Sequence, residues 1–449
     1  MKELDLTQGS VPKVLLQFAV PFLIANVLQA LYGGADLFVV GQYDDSASVA
    51  AVAIGSQVMQ TITGIILGIT TGTTVLIAIA TGAKDNRKVA FTIGSSVWLF
   101  SITGVVLTLV MVLFHSRIAE LMHTPVEAMV DTKNYILVCS LGILFIVGYN
   151  VVCGILRGLG DSKTPLYFVG LACVINIVLD FILVGYFHWG ATGAAIATVT
   201  AQGVSFGIAL WFLYRHGFHF DFSRKDIRLN RNLSKKILVL GAPIALQDAL
   251  INVSFLIITV IVNQMGVIAS ASLGVVEKII VFAMLPPMAI SSAVATMTAQ
   301  NYGAGLIKRM NKCLASGIGI ALVFGVSVCV YSQFLPETLT AFFTKDAAVV
   351  AMAADYLRGY SIDCIIVSFV FCINSYFSGQ GNSLFPMIHS MIATFVFRVP
   401  LSYLFGQIDS ASLHLMGFAP PISTFVSLLI CIWYIRRTNR KLEYKFRSL

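Results

Sequence analysis

Long apolar runs alternate with short polar ones from the first helix to near the carboxyl end. Each run exceeds the roughly 20 residues needed to cross a hydrocarbon core as a helix. Twelve are legible, at 14–40, 49–81, 89–114, 134–156, 165–187, 190–214, 237–264, 269–299, 313–334, 347–377, 385–405 and 415–435. The runs are continuous and lack the two-residue alternation of barrel strands, so they predict helices. In lipid a spanning segment must satisfy its own backbone groups, and a helix does so. The expected fold class is therefore an all-α integral membrane protein of twelve transmembrane helices. Several runs exceed the minimum, which predicts tilt or helix extending past the bilayer.

Composition agrees. Of 449 residues, 57% are hydrophobic and 11% charged, against about 25% charged in soluble domains. The net charge is +8, which on a soluble chain would raise nucleic acid as a partner. Here the basic residues lie in alternate loops. Lys2, Lys13, Lys84, Arg87, Lys88, Arg157, Lys163, Lys308, Arg309 and Lys312 fall on one side, with the basic clusters of 215–236 and 436–447. Arg117, Lys133 and Lys345 fall on the other. The positive-inside rule then predicts a multi-pass protein of the cell (plasma or inner) membrane with both termini cytoplasmic. The amino terminus does not resemble a signal peptide. The eight cysteines show no paired spacing and read as small apolar residues.

The chain repeats itself. Thr81-Gly82-Ala83-Lys84 lies over Tyr302-Gly303-Ala304-Gly305, and RGLGDSKTP at 157–165 lies over SGQGNSLFP at 378–386. Pro21 and Pro243 each fall early in the first helix of their half. The expected organisation is an amino-terminal six-helix lobe at 1–214, a basic cytoplasmic linker at 215–236, and a carboxy-terminal six-helix lobe at 237–449. An even number of spans per half implies a pseudo-two-fold axis along the membrane normal.

Ionisable residues inside spans are costly and are functional candidates by default. The first half has two, Asp36 and Asp180, and no Lys or Arg in its spans. Asn176 precedes Asp180 by one helical turn, and Thr198 falls at a similar depth. Two carboxylates, an amide and a hydroxyl can converge there. Two buried carboxylates cannot both stay charged without a proton or cation, and an oxygen-only donor set suits H⁺ or a hard ion such as Na⁺. The plainer account is an acid pair hydrogen-bonded as packing glue. In the second half, Asp248, Glu277, Asp363 and Arg398 form a candidate polar site in which both signs occur. Arg398 either pairs with Asp363, guards a cleft or meets an anionic group. Asp355 and Arg358 read as a near-interface pair, and His389 lies inside a span. No nucleophile–base set, metal-binding motif or Walker sequence appears, which argues against an enzyme.

The twin halves, GLGDSKTP with GQGNSLFP, INIVLDFILVG at 175–185, GATGAAIAT at 190–198 and AQNYGAG at 299–305 resemble the multidrug and toxic compound extrusion (MATE) family, in its DinF-like branch. The resemblance implies a secondary-active antiporter. It would export bulky, often cationic and aromatic molecules against H⁺ or Na⁺ by alternating access, and would confer drug resistance. It implies no organic cofactor, small-molecule substrates and membrane lipid as partner; a working monomer is expected because each half is large enough to bury a bundle core. It makes Asp36, Asn176, Asp180 and Thr198 the cation or proton site, with Na⁺ as the metal option. Tyr135 and Asn150 would be polar neighbours, and Pro21 a helix-1 hinge. The chain departs from the family where ATGA stands at 80–83. It also has Ile251 where another branch carries a helix-7 acid. The alternatives are a flippase or exporter of lipid-linked or anionic metabolites in the same superfamily, a channel, or a membrane enzyme.

Overall fold

The computed structural model describes residues 4–408 and 413–447. Lys2 lies outside the described residues, as do the side chains of Arg224 and of Asn439 onward. Every regular element among the described residues is helical. In the first half these are α1 (Val11–Tyr43), α2 (Ser46–Gly82), α3 (Asn86–Leu121), α4 (Met129–Leu141), α5 (Ile143–Leu159), α6 (Lys163–Asp180) and α7 (Gly190–His216). In the second they are α8 (Arg231–Asn263), α9 (Val267–Gly303), α10 (Ile307–Phe334), α11 (Pro336–Thr340), α12 (Ala347–Gly379), α13 (Leu384–Met391), α14 (Val399–Ile408) and α15 (Ala419–Arg447).

Among the described residues eleven helices, some formed of joined elements, are long and apolar enough to span a membrane. A twelfth span forms if residues Val126–Leu141 and α5 count as one, bent by 48°. The expected run at 134–156 is therefore broken, at Gly142. A Cβ on Gly142 would lie 2.6 Å from Val199 Cγ2, so α7 presses against the chain where α4 gives way to α5. Glycine at a tight contact is a usual cause of such a bend. Outward-facing Val106, Leu109 and Leu113 of α3 are half or more exposed, as a lipid-facing surface requires.

The described residues group into two compact units. The first holds residues 4–5 and Val20–Ala245; the second holds Leu6–Ala19 with the described residues from Leu246 onward. This differs from the boundaries expected at the linker, because the starts of α1 and α8 group with the opposite half. Leu6–Ala19 is tied into its unit by polar contacts. Asn301 Nδ2 donates to the Leu6 carbonyl at 3.1 Å, and the Arg309 guanidinium donates to the carbonyls of Leu6, Gln8 and Gly9.

Within the first unit, Phe100, Ile136, Val147, Ile155 and their neighbours form a core drawn from α2, α3, α4, α5 and α7. Within the second, α12 is the central helix, with 61% of its most apolar stretch buried. Tyr356, Tyr360 and Cys364 of α12 pack on Leu273, Val276 and Ile280 of α9.

The repeat seen in the sequence recurs atom by atom. A Cβ on Gly158 would lie 2.8 Å from the Thr74 carbonyl oxygen; one on Gly379 would lie 2.5 Å from the Ala295 carbonyl oxygen. These two contacts let α5 rest on α2 and α12 rest on α9, the close approach that small residues permit between membrane helices. Two residues on, Gly160 and Gly381 take left-handed φ of 99° and 86°, which ends each helix. The Asp161 carboxylate then accepts from Lys163 N and Thr164 N, both at 3.0 Å, and caps α6. Asn382 Oδ1 accepts from Phe385 N at the start of α13. The conspicuous RGLGDSKTP stretch is thus a helix-turn-helix joint.

Arg358 pairs with Glu337 at 2.7 Å and Asp355 at 3.1 Å, all three side chains being at least a third exposed. Pairs this exposed contribute about 1 kcal/mol or less. Arg358→Ala is accordingly expected to leave the thermal midpoint of the purified protein within a few degrees of wild type.

Candidate functional site

Asp36, Asn176, Asp180 and Thr198 meet inside the first unit. Asp36 is 4% exposed, and Asn176 and Asp180 are fully buried. Helix α1 supplies Asp36, α6 supplies the Asn176–Asp180 pair one turn apart, and α7 supplies Thr198. Thr198 Oγ1 donates to Asp36 Oδ2 at 3.1 Å, and Asn176 Nδ2 donates to Thr198 Oγ1 at 3.4 Å. The Asp36 and Asp180 carboxyls lie within hydrogen-bonding reach of each other.

Asp180 is the last residue of regular α6. The chain then widens into a π-helical turn at Phe181–Tyr186. Such turns are rare and cluster at functional sites, because they re-aim side chains within a continuous helix.

The donors present do not satisfy the acceptors. Asp36 Oδ1, both Asp180 carboxylate oxygens and Asn176 Oδ1 are buried without a hydrogen-bond partner among the described residues. A buried acceptor left unpaired costs about 1–3 kcal/mol, and more when charged. Two ionised carboxylates have no proton to share. One proton between Asp36 and Asp180 turns an acceptor into a donor and pairs two of the orphaned oxygens at once. A hard cation would instead draw on the same carboxylates with Asn176 Oδ1 and Thr198 Oγ1. These oxygens fit either species, and the set contains no sulfur or imidazole, which softer transition metals favour. No group of three or more His, Cys, Asp or Glu suited to a metal occurs among the described residues.

Two further residues belong here. The Tyr32 hydroxyl contacts Thr198 and Gln202. Tyr32 precedes Asp36 by four residues and Gln202 follows Thr198 by four, so helical spacing alone could have found both. A narrow cleft lined by Leu28, Gln29, Tyr32, Tyr149, Val169, Ala172 and Gln202 has a volume of about 10 Å³. That is the lower limit for one water. Two of its lining residues, Tyr32 and Gln202, are the pair just placed beside Thr198.

The suggested neighbours divide. Tyr135 lies within electrostatic range of Asp36, but its hydroxyl pairs with Ser56 Oγ at 3.1 Å. Asn150 donates to the Ile146 carbonyl of its own helix at 2.8 Å. It makes no hydrogen bond to the carboxylates among the described residues. Pro21 sits within α1, one residue beyond the point where that helix passes from the second unit to the first.

In the second unit the charged residues are looser. Arg398 ends a π-helical turn at Ile392–Arg398 and stacks over the Phe255 ring at 4.2 Å. Glu277 and Asp363 lie within its electrostatic range, near Thr259 and Thr424 respectively. Neither makes a salt bridge to it among the described residues. Glu277 Oε1, Asp363 Oδ1 and Arg398 Nε are buried without partners. The pairing of Arg398 with Asp363 considered from the sequence is thus not a direct ion pair: the guanidinium faces an aromatic ring instead. Asp248 stands apart, with burial as its main feature. His389 is fixed as a buried crosslink, with Nδ1 2.8 Å from Ser427 Oγ and Nε2 2.8 Å from Asn374 Oδ1.

Thr198→Val removes the hydroxyl that bridges Asn176 to Asp36 while keeping its volume. One hydrogen bond to a charged group is worth about 1.5–3 kcal/mol. Because that bond favours the ionised carboxylate, a proton should bind the variant roughly tenfold more tightly, whereas Na⁺, which loses a ligand oxygen, should bind less tightly; the cation dependence of efflux reads which.

The family model for MatE matches residues 21–182 and again residues 243–404. The two matches begin at Pro21 and Pro243, in register with the internal repeat. The chain is 29% identical to the probable multidrug resistance protein YpnP of Bacillus subtilis, over 90% of this chain and 91% of that one. It is 26% identical to the multidrug export protein MepA of Staphylococcus aureus, over 82% of each. Its fold matches an outward-facing multidrug resistance MATE family transporter with a TM-score of 0.92, at 24% identity and over 98% and 99% of the two chains. The chain belongs to the MatE family of multidrug and toxic compound extrusion transporters.

Proposed function

We propose that this chain is a secondary-active antiporter of the cell membrane. It exports bulky, often cationic and aromatic compounds, driven by a cation that binds at Asp36 and Asp180. The observation that carries the reading is the set of buried, unpartnered oxygens on these two acids. Packing glue would satisfy its own acceptors; this cluster is satisfied only when a proton or cation joins it. A proton is the simpler fit, because the two carboxyls are within hydrogen-bonding reach. The names of the relatives support export of drugs. The repeated six-helix halves support alternating access, and the basic linker supports cytoplasmic termini. A monomer suffices, since each unit has its own core.

Binding of the cation neutralises the cluster. The Thr198 and Asn176 contacts then re-form around a neutral pair, and the α1–α6–α7 packing adjusts. Substrate affinity changes by the same coupling energy as cation affinity, as linkage requires. Gln202 and Tyr32 relay between the cleft and the carboxyls.

The test is dye efflux from everted vesicles with H⁺ and Na⁺ gradients imposed separately. Transport that follows one gradient supports the reading and names the ion. Dye movement independent of both contradicts it. A second reading, export of anionic or lipid-linked compounds, draws on Arg398, whose Nε lacks a partner. In the same vesicles it predicts transport of an anionic dye that Arg398→Gln abolishes.

A further inference from the structure

A second cavity lies in the first unit, away from the acid pair. Its volume is about 750 Å³, within the usual range of small-molecule sites. Helices α3, α5 and α7 form its walls, and the linker segment 217–227 closes its end. The floor is buried: Phe100, Val147 and Ile155 are 2% exposed or less. The mouth is open, with Leu144, Leu210 and Tyr214 exposed between α3 and α7. Counted from the linker end of α3, the lining residues Ile93 to Ser101 lie roughly 10–22 Å along the helix. The cavity therefore occupies the half of the span nearest the basic linker and opens sideways.

The linker is held as a roof. Trp98 Nε1 donates to the Ile227 carbonyl at 2.9 Å. At Gly94 the Asp226 carbonyl oxygen comes within 1.9 Å of where a Cβ would stand. Asp226 itself is fixed by Ser223 N and Oγ, at 2.8 and 3.0 Å. The Ser223 N–H above all holds its carboxyl below the usual carboxylate range. The linker residues Phe218, Phe220 and Phe222 turn onto the core, with ring centroids 5.1 and 5.2 Å apart across the two Phe218 contacts.

The lining chemistry is specific. Six aromatic rings face the cavity: Phe100, Phe206, Tyr214, Phe218, Phe220 and Phe222. Among the described residues its one charged lining residue is Asp221, which enters no salt bridge among them. No Lys or Arg side chain lines it among the described residues. The nearby Arg87 and Arg228 stack on the Phe91 ring instead, at 5.7 and 5.1 Å, close to Asp226. Aromatic faces with one carboxylate attract an organic cation, and the apolar floor selects a lipophilic one. A phospholipid tail would gain from the floor but nothing from Asp221, whose charge opposes an anionic headgroup.

We infer that this cavity is a lateral docking site for lipophilic organic cations, entered from the membrane on the linker side. The inference goes beyond the proposed antiport, because none of its residues belongs to the Asp36–Asp180 cluster. It holds whether or not that cluster couples transport.

The test is photolabelling of the purified full-length protein with an azido derivative of tetraphenylphosphonium, with adducts mapped by peptide mass spectrometry. Unlabelled tetraphenylphosphonium and its anionic isostere tetraphenylborate compete, each corrected for micelle partitioning. The expected result is adducts within 93–101 and 206–227, with the cation competing roughly tenfold better than the anion. Asp221→Asn should narrow that ratio several-fold. Val97→Phe, which puts a ring into the cavity, should sharply reduce the adducts while the melting curve stays unchanged. Asp36→Asn should leave labelling as in wild type, which separates failure here from failure of the antiport reading. Equal competition by the anion would overturn the inference and leave a lipid groove. So would adducts elsewhere only, or labelling indifferent to both Asp221→Asn and Val97→Phe.

Discussion

Asp36→Asn is expected to abolish cation-driven efflux while leaving passive substrate exchange intact. Asparagine keeps the size and polarity of the carboxyl but takes up no proton and carries no charge. It therefore leaves Asp180 without a second carboxyl with which to share a proton or cation, while an amide oxygen can still accept from Thr198 Oγ1 as the Asp36 carboxylate does. The cation then has no differential effect on the two states, and a ligand without differential affinity shifts nothing. Site-to-site couplings run to about 3 kcal/mol, so gradient-driven efflux should fall on the order of 100-fold. Asp180→Asn should do the same, because the two carboxyls act as one unit. The double variant should be no worse than either single one, a non-additivity expected for residues sharing one proton or ion. Dye exchange in proteoliposomes without a gradient is the control. Loss of that exchange too would indicate a structural role.

The second large effect concerns the frame. Gly158→Leu and Gly379→Leu should each severely destabilise the protein. In each case the side chain would be driven into a helix backbone, the Thr74 carbonyl or the Ala295 carbonyl. Backbone cannot rotate away as a side chain can. Overpacking typically costs about 1–3 kcal/mol, and a clash with main chain lies at or beyond the upper end. The check is the thermal midpoint of the purified variants, together with their yield from the membrane. Ala at either position should be milder than Leu. Equivalent losses at both positions would show that the repeated joint does the same work in each half; tolerance of Leu at either would contradict the close packing described.

Much of this was legible from residue type and spacing. Continuous apolar runs marked the spans, because lipid leaves helices few alternatives. Asp36 and Asp180 stood out because nothing basic shares their spans, and the four-residue step to Asn176 placed the amide beside the acid. The repeat was visible in RGLGDSKTP and SGQGNSLFP, although its meaning was not. Their glycines mark close backbone approach and left-handed turns, and Asp161 and Asn382 cap the following helices.

What escaped the sequence has physical reasons. The 48° bend at Gly142 depends on Val199 from another helix, and hydropathy averages over it. The π-helical turns after Asp180 and before Val399 change the hydrogen-bond pattern without any residue signature. Tyr32 and Gln202 were within reach of the same four-residue step but carry no charge to draw notice. Asn150 was suggested as a neighbour of the site by the family resemblance; its amide donates to its own helix backbone. The linker read as a solvated basic tether. Its alternate phenylalanines instead pack on the first unit's core, a period-two pattern that its charges obscured.

The most direct test of the central claim is to count cations displaced when substrate binds. Purified protein in weak buffer, monitored at once with a pH indicator and a Na⁺ electrode, would receive saturating substrate. The account predicts release of one cation species from wild type and none from Asp36→Asn or Asp180→Asn. Substrate binding to wild type with no cation released, or equal release from the variants, would contradict it.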